Sequence, residues 1–399
     1  MVRLINGPSA ASIAHGFDSF GEQVTLVFDL GGSTLDMSLL TIEDKVFEVR
    51  ATVGVSDLGG DDFDTRLVEH CIAEFKKTHG KDIRSNVRAM VRLRGACERA
   101  KRILSTSMEA HIELDSLCEG IDFFSTISRS QFEKCCADLF DKVVESVPKV
   151  LADVGLMRSQ VDQIVLVGGS SRIPKVQQLV SELFNGKQIK GPILEEAAMT
   201  GAAIQAAILT DDDVSPKLQD VLMLDVVPLT LQVEIDGIKM AMIPRNLTTP
   251  FKKTDTISWA SNKSVVRIQF VEGDSDNISE NHLLGHVEMD GGKSEFEVTI
   301  DTDSNFTTNA LVVDKSTGKE KIITLGCGPL PASEIERMRK EIGNLKSMRM
   351  RTSALDKVRG FFSNKTRPSQ SAEKETKQRQ ADAAATSLDA IKNSLADVG

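Results

Sequence analysis

The hydrophobic period of the chain changes near residue 229, and that change sets what the chain can fold into. Over the first 210 residues strand-like and helix-like patterns alternate, as in an α/β architecture. From Leu229 to Leu325 apolar residues instead recur at every second position, as in Leu229-Thr230-Leu231-Gln232-Val233-Glu234-Ile235 and Phe296-Glu297-Val298-Thr299-Ile300, which predicts a β-sandwich of short strands. One chain therefore carries two cores of different kinds, and 399 residues suffice for both. With 41% apolar and 27% charged residues, disordered, collagen-like and membrane classes are excluded. The net charge of −10 argues against a general attraction to nucleic acid or to a membrane surface. From Ser333 onward the balance reverses to 14 Lys and Arg against 9 Asp and Glu, in a segment too poor in apolar residues to build its own core.

The expected organisation is an α/β region over residues 1–210, a linker over 211–225, a β-sandwich over 226–330 and a helical, partly disordered segment over 331–399. In the first region residues 24–28 form a buried strand that runs into Asp29-Leu30-Gly31-Gly32-Ser33-Thr34, and residues 35–40 and 45–55 are further strands of a meander. A helix opens after Gly59-Gly60 and ends near Gly80, and a second covers about 86–104. A third covers about 130–154, with Ser130 and Glu133 as a capping box. The apolar strand Ile164-Val165-Leu166-Val167 leads into Gly168-Gly169-Ser170-Ser171 and a helix that Pro174 starts. A small-residue helix over 195–209 closes the region. Asp211-Asp212-Asp213-Val214-Ser215-Pro216 breaks the pattern, and the bare apolar run Val221-Leu222-Met223-Leu224 beyond it is expected to dock on another part of the chain.

Both glycine turns follow an apolar strand, where the missing Cβ lets backbone N–H groups approach an anion such as phosphate. Asp29 and Asp36 flank the first turn on neighbouring strands, so that both carboxylates suit one hydrated divalent cation. The second precedes a helix whose N-terminus favours an anion. Neither is GxxxxGK[ST] or GxGxxG, and each on its own reads more readily as an ordinary tight turn. Arg88, Arg92, Arg94, Arg99, Lys101 and Arg102, with Glu98 opposing them, read on their own as a solvated helix face. Cys71, Cys97, Cys118, Cys135, Cys136 and Cys327 form no CxxC and have no ligand-spaced His, which argues against zinc and for a reduced compartment. No apolar run is long enough to span a bilayer and no targeting signal is evident, so a cytoplasmic location is expected.

Five segments together resemble the heat shock protein 70 family: Asp29-Leu30-Gly31-Gly32-Ser33-Thr34-Leu35-Asp36, Leu58-Gly59-Gly60-Asp61-Asp62-Phe63-Asp64, Cys97-Glu98-Arg99-Ala100-Lys101-Arg102, Val167-Gly168-Gly169-Ser170-Ser171-Arg172-Ile173-Pro174 and Asp314-Lys315-Ser316-Thr317-Gly318-Lys319-Glu320. The resemblance implies a multidomain fold: an incomplete actin-like α/β nucleotide-binding region, a β-sandwich substrate-binding domain and a short helical C-terminal segment. It implies ATP or ADP and Mg as cofactors. Gly31, Gly32 and Thr34 would cradle phosphate, with Asp29 and Asp36 acting on Mg through water. Glu98, Lys101, Arg102 and Ser105 would clamp the adenosine, with Gly168, Gly169, Ser170 and Arg172 as the opposite wall and Glu195 nearby. Leu231, Val233, Val266 and Ile268 would line a groove for unfolded or extended apolar polypeptides; without the resemblance they read equally as sandwich core. J-domain proteins and nucleotide-exchange factors are implied partners.

The sequence departs from the family pattern in places. The match begins part-way into the ATPase domain, without the first phosphate loop or the lysine that positions the attacking water. Gly7 stands in Asn6-Gly7-Pro8 where the family has a glutamate, and Ser33 replaces a hairpin glycine. Loss of one wall of such a cleft is expected to slow phosphoryl transfer by roughly 10²-fold or more. Thr307 replaces an apolar groove residue, and Asp236 and Trp259 fall near positions that arch over the peptide. Besides an ATP-dependent chaperone, the sequence therefore admits a hydrolysis-deficient peptide- or partner-binding derivative. A sugar kinase of actin-like fold is disfavoured by the linker and the β-region.

Overall fold

The computed structural model describes residues 3–16, 21–187, 189, 195–210, 221–235, 237–260, 264–275 and 280–326. Two compact units divide after Pro331, and all the described residues lie in the first. The segment expected to be helical over 331–399, the polar start of the linker, Asp236 and Cys327 lie outside the described residues.

Gly7–His15 (α1) carries Pro in its first turn, where the missing N–H would have been unpaired in any case. Gln23–Leu30 (β1), Leu35–Glu43 (β2) and Val46–Val55 (β3) form the antiparallel meander, with Asp29 directly opposite Asp36. Gly60–His79 (α2) buries Phe63, Leu67, Cys71 and Phe75 at four-residue spacing and stops at Gly80, whose φ of 69° suits glycine. Val87–Leu104 (α3) starts where the Asn86 side chain accepts from Ala89 N at 3.1 Å. Glu109–Cys118 (β4) and Ile121–Ser128 (β5) form a separate hairpin.

The helix expected over 130–154 is two helices, Arg129–Cys135 (α4) and Ala137–Ala152 (α5), broken at Cys136. The capping box is Ser128 with Gln131, not Ser130 with Glu133: Gln131 N donates to Ser128 Oγ at 3.2 Å, and Ser128 N donates to Gln131 Oε1 at 2.8 Å. Gln163–Val167 (β6), Pro174–Leu183 (α6), Ala197–Thr210 (α7) and Leu222–Leu224 (β7) complete the first region.

The central sheet runs β6-β1-β2-β3-β7, with β6 and β7 parallel to their neighbours. The apolar run at 221–224 thus docks on β3, with Met223 buried and Leu222 exposed. Val27, Val165 and Met223 pack with α1 and α7 on one face. Leu26 and Phe28, equally buried, alternate to the other face, toward α5. Among the described residues no helix is long and apolar enough to cross a membrane.

Leu231–Ile235 (β8), Ile238–Ile243 (β9), Phe251–Ala260 (β10), Val265–Glu272 (β11), His282–Asp290 (β12), Lys293–Thr302 (β13), Thr308–Asp314 (β14) and Glu320–Thr324 (β15) form two four-stranded antiparallel sheets, ordered β12-β11-β8-β9 and β10-β13-β14-β15. Val233, Ile268 and Phe270 of one sheet share a core with Phe296, Val298 and Val312 of the other. Polar contacts join this sandwich to the first region. Arg245 Nη2 lies 2.7 Å from Asp153 Oδ2, and Thr52 N donates to Asn246 Oδ1 at 3.2 Å. Asp225, next to β7, accepts from Asn6 Nδ2 and from Ser9 Oγ, each at 3.0 Å.

Two glycines in helices separate packing from propensity. A Cβ at Gly201 of α7 would overlap the carbonyl oxygen of Ala10 in α1, whereas one at Gly95 of α3 would meet only the flexible end of Arg99, at 3.6 Å. In urea unfolding, Gly201→Ala is expected to lose about 2 kcal/mol or more through overpacking. Gly95→Ala is expected to gain about 0.5–1 kcal/mol through backbone entropy. Equal effects of one sign would contradict this helix crossing.

Candidate functional site

The first glycine hairpin is held by its carbonyl groups. Gly31 N donates to Thr34 O at 3.0 Å and closes the turn. Gly31 O accepts from Gly60 N at 3.0 Å and from Ser170 Oγ at 2.8 Å, and Gly32 O accepts from Asp61 N at 2.7 Å. With these oxygens engaged, what the tip offers a ligand is N–H groups, as an anion site requires. The approach depends on missing side chains. Gly168 has a φ of +80°, and a Cβ there would stand 2.5 Å from Asp29 Oδ1 and collide with Leu30 O. A Cβ at Gly59 would stand 2.5 Å from Ser33 N. Both glycine turns and the start of α2 therefore meet backbone to backbone.

The second turn has the expected order of apolar strand, glycines and a helix that Pro174 starts. Gly169–Arg172 is a short 3₁₀ turn, and α6 begins after it at Pro174. The 3₁₀ turn thus stands between Gly168 and the α6 N-terminus, whose N-cap residue is Ile173.

Asp29 and Asp36 face each other across the first two strands, and Thr34 Oγ1 donates to Asp36 Oδ2 at 2.8 Å. Burial, and after it the charge of Asp36, push the Asp29 carboxyl from 3.8 up to about 6. Two carboxylates facing each other in this way suit a divalent ion. Among the described residues no three His, Cys, Asp or Glu side chains converge as a chelate. An ion there would take its other oxygens from water or phosphate, as Mg commonly does.

A cleft of about 610 Å³ opens beside the hairpin. Gly31, Gly32, Gly169 and Ser170 line one side, Glu98, Lys101 and Arg102 of α3 and its capping residue Ser105 another, with Arg172 and Glu195 also on its wall. Asp29, Thr34, Asp36 and Gly168 are not on the wall. Lys101 is nearly buried: its Nζ donates to Gly60 O at 2.8 Å and lies 3.0 Å from Asp64 Oδ1. It pins α3 to the start of α2, and its ammonium is already engaged. Burial raises the Asp64 pKa despite the opposing pull of Lys101. Arg102 pairs with Glu98 at 2.7 Å, and Arg172 Nε pairs with Glu195 Oε1 at 3.0 Å. An anionic ligand would compete with these carboxylates for both guanidinium groups.

Gly60, Asp61, Asp64, Thr106 and Ile173 also line the cleft and were not among the expected site residues. The motif around Gly59 offered the signal for three of them. Leu231, Val233, Val266 and Ile268 lie elsewhere, on β8 and β11. At 8, 1, 0 and 0% exposure they fill the sandwich interior, the place their alternative reading as core assigns.

Comparisons with known proteins establish the family. A family model described as "Hsp70 protein" matches residues 1–399. The chain is 48% identical over 359 residues to the Heat shock 70 kDa protein of Neurospora crassa, which covers 87% of the chain and 56% of that protein. It is 49% identical over 359 residues to the Heat shock cognate 70 kDa protein 3 of Dictyostelium discoideum, with 86% and 57% covered. The Heat shock 70 kDa protein 2 of Paracoccidioides lutzii is 48% identical over 360 residues, with 87% and 55% covered. The chain belongs to the Hsp70 family. It spans somewhat more than half the length of these relatives.

The Asp29 pKa gives stability a pH signature. The native state holds a proton between pH 3.8 and about 6 that the unfolded chain has released. The group's contribution to stability is therefore complete below its unfolded pKa and is lost as pH rises through its folded one. Asp29→Asn, free of this loss, is expected to melt with the unaltered protein below pH 4, to rise above it as pH passes from 4 to about 6, and to keep a constant lead at higher pH. A gap between the melting curves that does not change from pH 4 to about 6 would contradict the buried-carboxylate account.

Proposed function

We propose that the cleft binds ATP or ADP with Mg and that the sandwich binds extended apolar segments of unfolded proteins, so that the chain acts as an ATP-dependent chaperone of the Hsp70 type. The observation that carries this reading is the meeting of both glycine turns, the charged end of α3 and Arg172 around one cleft. Family membership supports the choice of ligand. The hairpin amides and those of the Gly168-Gly169-Ser170 turn would hold phosphate oxygens, with Asp29 and Asp36 holding Mg through water. When bound, Mg supplies charge neutralisation to the phosphoryl groups. Glu98, Arg102 and Ser105 would border the base and ribose, and Arg172 would swing from Glu195 to the ligand. Lys101, engaged with Gly60 and Asp64, fixes the distance between α3 and the hairpin.

The docking of β7 on β3 and the Asp225, Arg245 and Asn246 contacts give the two binding regions a mechanical connection. J-domain proteins and nucleotide-exchange factors are the partners expected of such a chaperone. The intended test is calorimetric titration with Mg-ADP. Binding is expected, with Arg172→Ala weakening it roughly ten-fold through loss of a charge-assisted contact. No heat at millimolar nucleotide would refute the reading.

One observation favours a second reading, in which the chain binds nucleotide and peptide without efficient hydrolysis. A Cβ at Gly7 would lie 3.7 Å from Asp29 Oδ2, so a carboxylate carried there would enter the same centre. Gly7 begins α1, where an acidic side chain is favoured, and the position is sterically open. Gly7→Glu is then expected to raise single-turnover ATP hydrolysis by about 10²-fold, the range of a positioned general base. An unchanged rate would remove this second reading.

A further inference from the structure

Four of the five cysteines among the described residues fall on neighbouring elements: Cys71 on α2, Cys97 on α3, Cys135 at the end of α4 and Cys136 in the break that follows. α2 packs on both α3 and α4. Cys71 and Cys97 are fully buried and hold their sulfur atoms 3.9 Å apart, a separation that side-chain rotation can close to an S–S bond of about 2.05 Å. Cys135 is only half-buried, and its Sγ lies 3.6 Å from Nδ1 of His70, the residue before Cys71. Buried thiols often serve as ordinary core filling. That role requires neither two thiols in contact nor an accessible thiol beside an imidazole.

The two contacts suit different parts of one reaction. The inner pair is closed to solvent, and its contact with Cys71, and after it burial, raises the Cys97 thiol far above its usual range. Such a thiol stays protonated and does not meet an oxidant directly. Cys135 is the member that solvent reaches. Burial, and after it a charge on Cys71, raises this thiol as well, so its activation requires a base. His70 Nδ1 is placed to accept the proton when the ring proton is on Nε2. The influence of Cys71 on Cys135 reflects the packing of α4 against α2, which gives the outer thiol a neighbour to receive its oxidation.

We propose that this cluster is an oxidation site for hydroperoxides, in which Cys135 takes the oxidising equivalent and Cys71 and Cys97 store it as a reversible disulfide between α2 and α3. His70 Nδ1 takes the Cys135 proton, and Cys135 Sγ attacks one peroxide oxygen. The O–O bond breaks, and the leaving oxygen collects that proton as water or an alcohol. Cys71 Sγ then displaces the hydroxyl group from the Cys135 sulfenic acid, and the hydroxyl departs with the Cys71 proton as water. Cys97 Sγ attacks Cys71 Sγ, and Cys135 leaves as a thiol with the Cys97 proton. One hydroperoxide is reduced and two thiols are oxidised. Cys97 adjoins Glu98 and lies one turn before Lys101, whose pairing with Asp64 is the neighbouring contact of α3 with α2. The bond therefore shifts α3 at the cleft wall and weakens Mg-ADP binding, a consequence that rests on the proposed nucleotide site.

The test treats the full chain with hydrogen peroxide, blocks free thiols with N-ethylmaleimide at intervals and maps disulfides by peptide mass spectrometry. A Cys71–Cys97 bond that dithiothreitol reverses is expected. Cys135→Ser, at a half-buried position, is expected to form it roughly ten-fold more slowly or worse, for want of an accessible thiol. Cys97→Ala is expected to stop at a Cys71–Cys135 bond; if it fails to fold, the map of the unaltered chain and Cys135→Ser decide. A Cys135–Cys136 bond instead, thiol loss without a bond, no thiol loss, or an unchanged rate in Cys135→Ser would overturn the site. Calorimetry on both redox forms tests the consequence, with the oxidised form expected to bind Mg-ADP roughly ten-fold more weakly. Equal affinities would overturn the coupling to the cleft. No binding by the reduced protein would refute the nucleotide reading and the coupling with it, while the disulfide map decides the thiol site on its own.

Discussion

The candidate site depends on a close approach of main chains that side chains would prevent. Gly168 sits against Leu30 and Asp29, Gly59 against Ser33, and Gly60 between Ser170 and Lys101. The carbonyls of Gly31 and Gly32 are thereby engaged from two directions, by α2 and by Ser170. This saturation of acceptors gives a turn made mostly of glycine a definite shape, and it leaves donors as the available groups. It also explains the electrostatics behind the hairpin. Asp29 is held deep because Gly168 packs on its carboxylate, and depth, more than the proximity of Asp36, raises its pKa.

Around that contact the charges form a self-consistent set. Lys101 is satisfied by Gly60 and Asp64, Arg102 by Glu98, and Arg172 by Glu195. The first of these is buried and fixes spacing between elements. The other two are exposed, and pairs of that kind contribute little to stability, so they are easily exchanged for a ligand. On one face of the central sheet, the start of α1 reaches two of these places: Gly7 lies beside Asp29, and neighbouring Asn6 bonds Asp225 next to β7. Two consecutive residues thus connect the carboxylate pair with the strand that leads to the sandwich.

Much of this was legible in the sequence where the signal is local. An apolar run that ends in Gly-Gly, a four-residue apolar repeat and a period of two each report one element, and β1, β6, α2 and the two sandwich sheets correspond to them. Signals that depend on distant partners were not legible. The β4–β5 hairpin carries Glu109, His111 and Glu113 outward and needs α3 to cover its other face, so its pattern is weak when read alone. Ser128 and Ser130 are both followed three residues later by a capping partner, Gln131 or Glu133, and only the backbone decides between them. Alternation along β8 and β11 marks an inward face without distinguishing a closed core from an open groove. Lys101 read on its own as part of a solvated helix face and by resemblance as a ligand contact, and its contacts with Gly60 and Asp64, distant in sequence, were legible in neither.

The central claim, that both glycine turns close on one nucleotide, is tested most directly by glycine-selective ¹⁵N labelling and an amide NMR titration with Mg-ADP. The expected result is that Gly31, Gly32, Gly168 and Gly169 shift together with a single dissociation constant, while Gly237 and Gly292 in the sandwich turns follow only if the domains are coupled. Shifts confined to one of the two turns, or different constants for the two, would contradict it.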